Sequence, residues 1–149
     1  MIIREMTAAD VPLAAEIEKL CFAHPWSEQS IESEMSSENS VFLMAFEEDK
    51  AIGYVGLSAV LDEGYMGNLA VTEQYRRNGV GRSLMNELMR ICRDKDFSFV
   101  TLEVRESNLP AVNLYISLGF ERVGVRKNYY KEPTENALLL TKYFKEINF

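Results

Sequence analysis

The chain is built of short runs whose hydrophobic period alternates between two and 3.6. Residues 1–6 form a first strand-like run. Thr7-Ala8-Ala9-Asp10 has the form of a capping-box helix start, with the aspartate well placed in the first turn. Val11, Ala14, Ile17, Leu20 and Cys21 then recur at helical spacing. The segment 22–27, Phe-Ala-His-Pro-Trp-Ser, interrupts them. Pro25 disfavours helix at His24, and Ser27 is suited to cap a second helix reaching about Met35. Residues 40–46 and 51–60 are strand-like and are joined by a charged turn, which predicts an antiparallel hairpin. A second turn over 61–64 leads into a third strand, 65–71, completing a meander. Leu84, Met85, Leu88, Met89, Ile91 and Cys92 mark one face of a helix from Gly81 to about Asp94. Over 97–105 the period returns to two: Val100, Leu102 and Val104 alternate with Thr101, Glu103 and Arg105. Asn108 and Pro110 open a short helix over 111–118, which Gly119 stops. Residues 120–126 and 137–144 read as two final strands. The polar, aromatic segment 127–134 reads as their connection.

Composition adds bounds to this outline. The 149 residues are enough for one domain with a real core, and no repeat, low-complexity tract or linker divides them, so 1–149 is read as a single domain. Hydrophobic residues make up 47% and charged residues 26%, as in an ordinary soluble protein. The net charge of −7 argues against general nucleic-acid binding; it is compatible with a basic protein or an amine as partner, the alternative being that it serves solubility alone. The two cysteines, Cys21 and Cys92, lie far apart in predicted helices, and His24 is the only histidine, which argues against a zinc site. Two buried free thiols would fit a reducing compartment. The charged N-terminal stretch lacks a signal-peptide core, and no apolar run is long enough to span a membrane. The expected location is therefore the cytoplasm.

The candidate chemistry begins where the third strand, with Leu69, Ala70 and Val71, enters the turn Arg76-Arg77-Asn78-Gly79-Val80-Gly81-Arg82. A strand, a glycine turn and a helix start make an anion cradle. Glycines admit positive φ and close backbone approach, the first helical N–H groups lack partners, and arginines add charge-assisted bonds. The alternative is a plain strand-to-helix turn with a solvated basic edge. A Walker A loop is excluded because no Gly-Lys pair occurs, and the Rossmann fingerprint fails for want of a third glycine. Glu103 stands on the more polar face of its strand, where it is either a base or a partner for Arg105 or Arg126. His24 reads as solvated, and Trp26 as either a core plug or a substrate contact.

Two motifs carry a family resemblance. The turn Arg76–Gly81 matches [QR]-x-x-G-x-[GA], and residues 108–120, NLPAVNLYISLGF, match N-x-x-A-x-x-L-Y-x-x-x-G-F. Together they resemble the GNAT superfamily of acyl-CoA-dependent N-acetyltransferases. The segments Leu102-Glu103-Val104-Arg105, Tyr115, Asn128-Tyr129-Tyr130 and Pro25-Trp26-Ser27 are similar to its RimI-like group, which acetylates the N-terminal alanine of a small-subunit ribosomal protein. The resemblance implies the GNAT fold, an α+β three-layer sandwich with a mixed, mostly antiparallel sheet flanked by helices. It implies acetyl-CoA as co-substrate and a ribosomal-protein N-terminal peptide as partner, with no metal, no direct nucleic-acid contact and no membrane. The oligomeric state stays open, a monomer being compatible. By resemblance, backbone groups of Leu69, Ala70 and Val71 would meet the pantetheine arm. Arg76, Arg77, Asn78, Gly79, Val80, Gly81 and Arg82 would hold the pyrophosphate, and Asn108 would hydrogen-bond the cofactor, a role that competes with helix capping. Glu103 would be the general base and Tyr115 the general acid. The alternatives are a GNAT enzyme acting on a small amine or a lysine side chain, and a CoA-binding module without catalysis.

Overall fold

The computed structural model describes residues 1–145. Strands β1 (Ile2–Glu5), β2 (Val41–Glu47), β3 (Lys50–Val60) and β4 (Glu63–Val71) pair antiparallel in that order. The chain then crosses to β5 (Phe99–Arg105), which lies parallel to β4. The last hairpin, β6 (Glu121–Tyr130) and β7 (Glu135–Tyr143), docks through β7, so the seven-stranded sheet has the order β1-β2-β3-β4-β5-β7-β6. The expected mixed, mostly antiparallel sheet is thus present.

Strand alternation builds the other two layers. Val41, Leu43 and Ala45 of β2 face a core closed by α3 (Val80–Asp94), whose Leu84, Met85, Leu88, Met89 and Cys92 are buried. Truncating one of these leucines to alanine costs about 2–5 kcal/mol. Burial also pushes the Cys92 thiol up to about 12, so it stays protonated and inert near neutral pH. Phe42 and Met44 of the same strand face a second core under α1 (Val11–Cys21) and α2 (Glu28–Met35). The fourth helix, α4 (Leu109–Ser117), joins the α3 layer through Tyr115. A short 3-10 turn, Ala8–Asp10, precedes α1. There the Thr7 N–H donates to Asp10 Oδ2 at 2.8 Å, as the capping-box reading requires. Arg4 also bonds Asp10, and its guanidinium holds that carboxyl down at about 2. Among the described residues, no helix is long and apolar enough to cross a membrane.

Two sequence expectations change. Half of the segment 127–134 is strand: β6 continues to Tyr130, and residues 131–134 turn. A register irregularity between Arg126 and Tyr130, with Asn128 at φ 53°, breaks the alternation that would have revealed it. The second concerns the thiols. Cys92 is buried, but Cys21 is only half-buried because it ends α1 and reaches outward to the Val71 carbonyl at 3.6 Å.

What positions the site is where the sheet stops being continuous. β4 and β5 pair only over Glu63–Tyr65 and Phe99–Thr101. Beyond that point β4 carries an extra residue: Met66 faces Leu57, and Leu69 faces Val55. Such a bulge bends its strand. From there to Val71, β4 has no ladder with β5, and the sheet is split by a gap.

Candidate active site

The wall of the gap on the β4 side is made of backbone. The Thr72 amide donates to the Ile52 carbonyl at 2.9 Å, which sets the antiparallel alternation. Ala70 therefore turns its amide and carbonyl to β3, opposite Tyr54. Leu69 and Val71 turn theirs toward the missing ladder. The Val71 carbonyl is already engaged by Arg76 Nε at 2.9 Å and by the Cys21 thiol. The Leu69 groups and the Val71 N–H are left to meet a ligand. Of the three residues implied by resemblance, Ala70 thus has its polar backbone committed elsewhere.

The glycine turn forms the floor. Gly79 caps α3 at φ 77°, and Arg77 before it is also left-handed at 66°. A methyl group built on Gly79 would meet nothing within 4 Å, so the backbone is bare to the outside. At Gly81 the same methyl would lie 3.7–3.9 Å from Leu114, Leu69 and Val71, at the mouth of the gap. The first amides of α3 have no helical acceptor, and the helix dipole favours an anion there. Arg77 and Asn78 are exposed beside this turn. Arg76 is braced on β4 as described, and Arg82 Nη2 donates to Ser117 Oγ at 3.0 Å. A diphosphate fits this donor set. Asn108 caps α4, its Oδ1 accepting from the Ala111 N–H at 3.4 Å, and its side chain has no other hydrogen bond among the described residues.

Glu103 and Tyr115 come from opposite faces of the sheet. Glu103 is half-buried on β5, on the face opposite Val100, Leu102 and Val104. Its Oε1 lies 2.9 Å from Arg126 Nε, so the ion pair allowed by the sequence is formed. Tyr115 is only 5% exposed, and its ring lies 5.7 Å from that of Phe120. Burial, and then Tyr130, push its phenol above the usual range. The hydroxyl has no hydrogen bond among the described residues, yet its oxygen is not sealed off. It is therefore open to a ligand.

Tyr130 links the two. Burial and the nearby Glu103 carboxylate raise its phenol to about 12. Tyr129 is raised too, first by its hydrogen bond to Glu103. Arg105 holds this end of β6: it donates to the Pro133 and Lys131 carbonyls at 3.0 Å, and its guanidinium stands 4.4 Å from the Tyr130 ring centre. In the sequence, Tyr129 and Tyr130 stood out only through the resemblance. The other unforeseen group is Glu18. It is fully buried, accepting from Tyr54, Asn68 and the Trp26 N–H. Its signal was its spacing, four residues after Ala14 on the apolar face of α1. His24 is exposed, 3.3 Å from Glu132, as the solvated reading expected.

A split sheet with a bare glycine turn below it is the architecture of an acyl-CoA-dependent transferase. The chain belongs to the acetyltransferase (GNAT) family, whose model matches residues 11–120. It is 34% identical over 140 residues to the ribosomal protein bS18-alanine N-acetyltransferase of Escherichia coli, covering 93% of this chain and 94% of that protein. It is equally similar, over 139 residues, to the putative bS18-alanine N-acetyltransferase of Bacillus subtilis, with coverages of 93% and 92%. The crystal structure of the Escherichia coli S18-alanine enzyme superposes with a TM-score of 0.91 at 32% identity, covering 99% of this chain and 96% of that one. The protein is an acetyltransferase, and its seven-stranded sheet with four helices is the GNAT fold.

Proposed function

We propose that this protein transfers the acetyl group of acetyl-CoA to the N-terminal α-amine, on alanine, of a small-subunit ribosomal protein. The observation that carries the chemistry is the gap. One wall offers unpaired backbone groups of Leu69 and Val71, and the floor offers the Gly79 turn. Glu103 and Tyr130 stand on the other side. The choice of acceptor rests on the similarity to bS18-alanine acetyltransferases over nearly the whole chain.

Residues 76–82 hold the pyrophosphate, Asn108 adds a hydrogen bond, and the backbone groups of Leu69 and the Val71 N–H align the pantetheine arm. The acceptor must attack as a free amine. An α-amine has a pKa of about 7.7–8.0, against about 10.4 for lysine, so it needs less help near neutral pH. Its nitrogen attacks the thioester carbonyl carbon, and Glu103 takes the proton it loses, directly or through water. A backbone N–H on β4 near Val71 polarises the carbonyl oxygen. The C–S bond then breaks, and Tyr115 gives its proton to the departing thiolate. The half-exposed Arg126 faces Oε1 of Glu103, so Oε2 keeps lone pairs that can take the proton.

The net charge of −7 draws a basic peptide toward the site. The test is mass spectrometry of a peptide panel incubated with acetyl-CoA. Acetylation of the α-amine of peptides beginning with alanine supports the reading. Acetylation confined to lysine side chains or small amines overturns the acceptor assignment.

A further inference from the structure

The α1 side of the sheet, next to the bulged part of β4, carries a buried acid that the reaction above does not use. Glu18 has no exposed surface. Its Oε1 accepts from the Trp26 N–H at 2.8 Å, and its Oε2 accepts from the Tyr54 hydroxyl at 2.6 Å. The Asn68 side-chain amide donates to both oxygens, at 3.0 and 2.9 Å. Every neighbour is a donor, which matches a carboxylate, a group that only accepts. The three donors come from three elements: the loop between α1 and α2, β3, and the bulged part of β4 that borders the gap. Asn68 lies beside Gly67, and a methyl on Gly67 would sit 3.8 Å from the Trp26 indole. Pro25, Trp26 and Ser27 also line an open surface cavity with Gln29, Ser30 and Glu34.

We infer that Glu18 is a positioning residue that fixes the Trp26 loop against the β4 bulge, and so sets the width of the acceptor entrance and the size of first residue admitted. A buried polar tie of this kind suits registry better than stability. Its four bonds offset the cost of desolvating the charge, and each is directional. Besides it, the loop is held by the partly buried Phe22 and Trp26, which pack against the core under α1, and by the exposed His24–Glu132 contact; Pro25 is exposed. The inference that the entrance admits a peptide rests on the function proposed above; the loop-anchoring role does not.

Trp26 is the only tryptophan, so its fluorescence reports this loop directly. Glu18→Gln puts a second donor into a cluster of donors, and Asn68→Ala cuts the tie from the β4 side. Both are expected to red-shift the emission and to increase acrylamide quenching about twofold or more, while cooperative melting is kept. The pair Glu18→Gln with Asn68→Asp restores one acceptor for each donor and is expected to return the spectrum toward that of the unsubstituted protein. In kinetics, Asn68→Ala is expected to raise KM for an alanine-initiated peptide roughly tenfold, the effect of losing about one charged hydrogen bond. KM for acetyl-CoA should stay fixed, and the preference for alanine over a bulkier first residue should shrink. Unchanged emission and quenching in both single variants overturns the anchoring role. A red shift with unaltered peptide KM and selectivity overturns the entrance role alone. If no peptide is acetylated by the unsubstituted protein, the acceptor assignment fails while the fluorescence still decides for or against Glu18.

Discussion

Tyr115→Phe separates chemistry from packing more cleanly than any other change at this site. The substitution removes one oxygen and nothing else. The ring stays against Phe120, 5.7 Å between centres, and keeps its burial. The hydroxyl has no hydrogen bond among the described residues, so its loss strands no partner. The stability change should stay below about 1 kcal/mol, which for a chain of this size shifts Tm by no more than about 4 °C. A general acid contributes about 10²–10⁴-fold to rate, equivalent to about 2.7–5.4 kcal/mol of barrier. The expected result is a kcat lowered by at least about 10² with Tm nearly unmoved. The assay is continuous detection of released CoA thiol, beside a melting curve on the same samples. Because burial raises this phenol above its ordinary range, the donor form persists as pH rises through neutrality and is lost only above the raised value. The unsubstituted enzyme should therefore show no loss of rate from Tyr115 below about pH 10. A variant that keeps a third or more of its turnover refutes the acid role. A Tm drop well beyond 4 °C would show a structural residue instead.

Other perturbations probe the remaining parts. Glu103→Gln is expected to lower kcat by roughly 10²-fold or more while calorimetry finds acetyl-CoA affinity within a factor of two; unchanged turnover from pH 6 to 9 would count against the base. Gly79→Val forces a branched side chain into φ 77° and covers the bare backbone, so acetyl-CoA affinity should fall and Tm should drop about 2–8 °C. Asp10→Asn should cost about 1–2 kcal/mol at pH 7, allowing for screening of the half-exposed Arg4. The Asp10 carboxyl is depressed, so its contribution is complete above the unfolded value near 4 and disappears as pH falls through about 2. Melting curves of the two proteins should converge there.

Much of the fold was legible because its signals are local. The meander, the face of α3 and the Asn108 cap follow from period and turn chemistry within a dozen residues. Gly79 was legible for the same reason, since a left-handed cap before an amphipathic run invites glycine. The gap was not legible. It is a missing ladder between β4 and β5, created by a one-residue bulge that leaves no compositional trace. The insertion of β7 between β5 and β6 is likewise a long-range pairing. Tyr129 and Tyr130 were hidden by the irregular register of β6, which makes a strand end look like a connection. Glu18 left only a faint trace, its place on the apolar face of α1; its role shows itself only once its donors from distant elements are in place. For Glu103 the sequence left two roles open, and the structure forms the Arg126 pair without removing the carboxylate from the edge of the gap.

The interrupted ladder also has a mechanical consequence. β5 is bonded to β7 along its full length but to β4 at only three residue pairs. The sheet is thus two plates hinged at one corner. The plate of β1 to β4 carries the Leu69 groups and the Val71 N–H, and the plate of β5 to β7 carries Glu103 and Tyr130. Under the function proposed above, a pantetheine chain lying in the opening would act as a keystone, supplying the hydrogen bonds that a neighbouring strand would otherwise make. The distance between donor and acceptor groups then belongs to neither plate alone. On that reading it would be set only with the thioester in place, so that binding the first substrate would calibrate the site for the second.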